Sequence, residues 1–155
     1  MSQPAPQITL DALRRLLLTI LLLGLLGTGT ELILIGHDED EWQMVPLVAL
    51  AIAVLASLMM VMMRSTSAAV ATTRLFRGAM VLLMLSGATG SVLHFRASME
   101  FKREMDPSLS GFALFSAVVQ AKAPPTLSPG TMALRGLLGV ACVFRLDLPT
   151  SSRNP

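Results

Sequence analysis

The chain has 155 residues, 53% of them hydrophobic and 14% charged, with a formal net charge of +2. A soluble domain of this size carries about 25% charged residues, so the composition is that of a membrane protein. Six Phe, one Trp and no Tyr, with no basic patch among them, exclude a nucleic-acid reader. The single Cys142 excludes an internal disulfide and a Cys-based metal centre.

In chain order, residues 1–10 hold two prolines and several polar side chains and are expected to be disordered. After Arg14 and Arg15 an apolar run at residues 16–36 forms span one. At about 1.5 Å per residue it reaches roughly 31 Å, enough for a ~30 Å hydrocarbon core. A cleavable signal peptide is the rival reading, but apolar residues resume after Glu31 as LILIG and no A-x-A site follows. Span two covers residues 44–63, with Pro46 placed in a first helical turn. Span three covers residues 75–95; its charge-free centre is about 24 Å long, which puts Arg77 and His94 at the two interfaces.

The stretch ASMEFKREM at residues 97–105 reads as a short polar helix stopped by Asp106-Pro107. Ser110 then caps a second short helix at residues 111–122, about 18 Å long. That is too short to cross, so an interfacial or re-entrant helix is expected, with a five-span chain as the alternative. Span four, at residues 129–144, is the weakest and is interrupted by Arg135, and the tail at residues 147–155 is expected to be disordered.

Charge sets the orientation. With the N-terminus inside, the inner segments collect seven basic residues (Arg14, Arg15, Arg64, Arg74, Arg77, Arg145, Arg153) against Asp11 and Asp147. The outer segments collect Arg96, Lys102, Arg103 and Lys122 against seven carboxylates. The positive-inside bias therefore predicts one all-α membrane domain of four transmembrane helices, N-in and C-in, with both termini cytoplasmic. Ten Arg against two Lys suggest a GC-rich bacterial coding sequence and hence a bacterial inner membrane.

Two ionisable residues lie within spans, where each costs about 2.5–3.5 kcal/mol at the helix centre. Glu31 stands five residues before Gly36 and Arg135 six after Pro129, so their depths match and an intramembrane Glu31–Arg135 ion pair closing helix one on helix four is expected. It reads first as a packing clasp, because an Arg neighbour would hold Glu31 ionised and make it a poor proton carrier.

The outer hairpin His37, Asp38, Glu39, Asp40, Glu41, together with His94, Glu100 and Glu104, forms an acidic/His surface. Such oxygen and imidazole donors can bind a divalent cation. No metal site is predicted, since EF-hand spacing is lacking and Asp40 and Glu41 fit the positive end of the following helix. Methionines Met59, Met60, Met62, Met63, Met80 and Met84 with Cys142 read as core packing rather than a Cu(I) path. Gly24, Gly27, Gly29, Gly87, Gly90, Gly136 and Gly139 read as sites of close helix approach.

No nucleophile–base–orienter set is present, so no catalytic residue, enzyme activity or cofactor is predicted. The blocks GTGTELILIGHDEDEWQMVPL, EFKREMDPSLSG and PGTMALRGLLG resemble those of small uncharacterised bacterial polytopic inner-membrane proteins; the resemblance covers most of the chain and implies topology alone. The expected function is an accessory or scaffolding subunit acting by helix–helix association in the lipid bilayer, with a membrane protein partner or as a homo-oligomer. The alternative is a small transporter or ion-handling protein using the outer acidic surface and Glu31.

Overall fold

The computed structural model describes residues 5–37, 41–120 and 129–144, and these form five helices. They are α1 (Ala5–Leu34), α2 (Glu41–Met62), α3 (Ala69–Met105), α4 (Gly111–Val119) and α5 (Gly130–Cys142). Three of them, α1, α2 and α3, are long and apolar enough to cross a membrane, and α5 is a shorter apolar helix.

The boundaries follow local chemistry. α1 starts at Ala5, so residues 5–10, expected to be disordered, are helical; residues 1–4 and 147–155 lie outside the described part. Its C-terminal end closes as a Schellman motif on Gly36, whose φ of +68° favours glycine. There the His37 N–H donates to the Leu32 carbonyl at 2.9 Å and the Gly36 N–H to the Ile33 carbonyl at 3.1 Å.

α2 begins at Glu41, three residues earlier than expected, with that carboxylate in the first turn where the helix dipole favours it. Pro46 consequently lies inside the helix rather than in its first turn. The expected break between residues 95 and 97 is absent. α3 is one helix of 37 residues, about 55 Å long, because nothing from Ser91 to Met105 is Gly or Pro and the polar segment is rich in helix formers. It stops at Asp106, which is extended (φ −142°, ψ 94°) as a residue before proline prefers. The Asp106 carboxylate then accepts the Ser108 hydroxyl at 2.6 Å and the Ser108 N–H at 3.0 Å.

Ser110 occupies the N-cap position of α4 in extended conformation, yet its hydroxyl makes no capping bond. α4 folds back along α3, burying Leu114 and Val118 and setting Phe115 5.9 Å from Phe95 between ring centroids. Residues 121 and 122, expected to continue this helix, lie outside the described residues.

The four longer helices close a ring. α3 packs on α2 and α5, α1 also packs on α2 and α5, and α4 rests on α3 alone. Each contributes a stripe at helical spacing: Leu21 and Leu25 from α1, Ala49, Ala53, Ala56 and Met60 from α2, Phe76, Met80 and Leu83 from α3, and Met132 from α5. The opposite faces expose Leu23, Leu34, Leu55, Leu85 and Leu134, the inversion of a soluble surface that a hydrocarbon solvent requires.

Candidate functional site

α3 and α5 are in direct backbone contact. A Cβ at Gly136 would lie 2.5 Å from the Met80 carbonyl oxygen and 2.7 Å from the Met84 nitrogen. One at Gly87 would run into the Ala133 nitrogen and lie 2.8 Å from the Pro129 carbonyl, and one at Gly139 would overlap the Met80 side chain. Only glycine allows this approach. Gly27 and Gly29, read from sequence as equivalent, have nothing within 4 Å of such an atom; neither is a close-approach site within this chain.

The close crossing brings Arg135 to α1, but not to Glu31. A Cβ at Gly24 would sit 2.9 Å from the Arg135 Nε and 3.6 Å from its Cδ, so the side chain runs over the one position on that turn of α1 with no side chain of its own. Glu31 lies seven residues further along, roughly 10 Å of helix rise away, and is exposed on the outer surface of the bundle. No ion pair joins the two among the described residues, where the salt bridge is Asp11–Arg14 at 3.6 Å. The expected pair is thus corrected: α1 and α5 are neighbours, but matched depths fix neither rotation nor which turn meets which. Arg135 Nη1 and the hydroxyl of buried Thr28, one turn beyond Gly24 on the same face, are both buried without a hydrogen-bond partner.

Two further arginines do work that spacing alone did not reveal. Arg77 Nη2 donates to the Val143 carbonyl at 3.2 Å, and Arg14 Nη2 to the Phe144 carbonyl at 3.4 Å. Both oxygens lie just past the C-terminus of α5, the negative end of its dipole, so cations from α3 and α1 hold the C-terminal end of this short helix. Both arginines stand more than two turns inside their own helices, so the signal lies on α1 and α3 and is invisible along α5 itself.

Past the C-terminus of α1, His37 approaches His94 of α3 with ring centroids 6.4 Å apart and planes at 27°. Glu41, Glu100 and Glu104 are exposed, and Asp38, Glu39 and Asp40 lie outside the described residues. Among the described residues no group of three or more His, Cys, Asp or Glu is placed to hold a metal. The methionines divide: Met60 and Met80 are buried with Cys142, Met84 is half-buried, and Met59, Met62 and Met63 face outward.

This geometry defines an all-helical bundle with three helices of membrane-crossing length and a shorter apolar fourth packed among them. Comparison with known protein families, with curated proteins and with solved structures finds no match to this chain.

Proposed function

We propose that the chain is a four-span accessory or scaffolding subunit of a bacterial inner membrane, both termini cytoplasmic, acting through association with a partner helix or a second copy of itself. The observation that carries this reading is Glu31, an exposed carboxylate on an apolar helix with no ion-pair partner among the described residues. It stands in the last turn of α1, the negative end of the dipole, so its own helix does not stabilise it either. Facing lipid, such a group is costly and acquires a partner from a neighbouring helix. The exposed Ile33, Leu34 and Ile35 around it supply the apolar rim of that contact.

Copurification in mild detergent followed by mass spectrometry tests the reading. Wild-type protein should retain a stoichiometric partner or dimerise, and Glu31→Gln should lose it while its melting temperature as a monomer stays unchanged. A wild-type chain that is monomeric and partner-free would refute association. Reporters fused at Ser67 and after Pro155 should both read cytoplasmic; a periplasmic C-terminus would favour five spans.

The His37–His94 approach favours one second reading, ion handling at the outer rim, in which the two imidazoles and the acidic hairpin bind a divalent cation. Zinc titration of wild type against His94→Ala separates it from the first, because association through Glu31 does not depend on His94.

A further inference from the structure

Between the inner ends of α1, α2 and α3 lies a cleft of about 580 Å³, within the size range of sites that hold small ligands. Its wall is apolar, with Leu18 and Leu22 from α1, Met60 from α2 and Val70 from α3. Its mouth is basic, formed by Arg14, Arg15 and Arg64 with one carboxylate, Asp11. Arg14 is committed to Asp11 and to the Phe144 carbonyl. Arg15 and Arg64 are exposed, and their guanidinium groups make no ion pair or hydrogen bond among the described residues.

The geometry points to a site for an anionic phospholipid, its phosphate between Arg15 and Arg64 and an acyl chain in the cleft beneath. The two halves demand different things of one molecule. Two unpaired guanidiniums select a phosphate oxyanion, whereas a hydrocarbon-lined cleft between helices gives nothing to a free ion. An amphiphile with an anionic head satisfies both, and basic pockets between helices near the cytoplasmic surface suit acidic head groups. Asp11 limits the charge the mouth carries but leaves it net positive.

The full chain in detergent, titrated with phosphatidylglycerol, with phosphatidylcholine of the same acyl chains and with inorganic phosphate, tests the site by native mass spectrometry. Phosphatidylglycerol should bind one per chain, more tightly than phosphatidylcholine, and phosphate alone should not bind. Arg15→Gln with Arg64→Gln should weaken phosphatidylglycerol roughly 30-fold, about fivefold per removed charge. Leu22→Trp, which fills the cleft without altering charge, should also weaken it with helicity unchanged. Arg74→Gln, an exposed inner arginine outside the cleft, should leave it as in wild type. Equal binding of the two lipids, binding of phosphate alone, or an equal loss in Arg74→Gln would overturn the proposal in favour of general surface charge.

Discussion

Arg135 lies across the bare backbone of Gly24, where a methyl group would meet its Nε at 2.9 Å. The arginine is accommodated on α1 by the absence of a side chain rather than by a carboxylate. Gly24→Val should therefore destabilise the bundle by about 1–3 kcal/mol, the usual range for overpacking. In an Arg135→Met background the flexible apolar chain can yield, so the loss should be smaller. Thermal melts of the double-mutant cycle measure the coupling; equal losses in both backgrounds would show that Arg135 is not what Gly24 accommodates.

The glycines of α5 and α1 should respond in opposite directions. Gly136→Ala drives a methyl group into the backbone of Met80 and Met84, which no rotamer change relieves, and should separate α3 from α5 at a cost of about 2 kcal/mol or more. Gly27→Ala meets nothing within 4 Å and should be neutral or stabilising by up to about 1 kcal/mol through helix propensity. Melting temperatures in one detergent distinguish the two, and a destabilising Gly27→Ala would point to an intermolecular contact on that face.

Arg77 should matter more than its neighbour Arg74. Arg77 donates to the Val143 carbonyl at the end of α5, whereas Arg74 is exposed. Arg77→Met is expected to cost roughly 1–2 kcal/mol, the low part of the range for charged donors because the group is partly exposed. Hydrogen exchange should rise in the last turn of α5 in Arg77→Met and stay unchanged in Arg74→Met.

The turn after α3 should be acid-sensitive. The Ser108 hydroxyl, and then its N–H, hold the exposed Asp106 carboxyl below the ordinary carboxylate range. A depressed value in the folded state means that the turn's contribution is fully present above the unfolded value near 4 and fades as pH falls through the lower folded value. In carbon-13 spectra the Asp106 carboxyl should titrate below the ordinary aspartate range, with the Ser108 amide moving in step; Ser108→Ala should bring Asp106 back toward the ordinary value. An unchanged midpoint in Ser108→Ala would dismiss the turn as its cause.

Hydropathy and punctuation in the sequence determine the membrane-type composition, the three long apolar helices, the stop at Asp106-Pro107 and the turn on Gly36, because each depends on residues within a turn or two of one another. The extra length of α3 was legible in principle, since no Gly or Pro falls between Ser91 and Met105, but the polarity of the last ten residues reads as a boundary when only apolar length is counted. Which residues meet across helices was decided by the tertiary structure alone. Arg135 met Gly24 rather than Glu31, Arg77 reached the end of α5, and Gly136 became a backbone contact while Gly27 stayed open. A helix's composition fixes neither its rotation about its own axis nor its axial register against a partner. Both are set by which small and large side chains interdigitate across segments distant in the chain, and a shift of one turn exchanges every such partner while leaving the hydropathy profile unchanged.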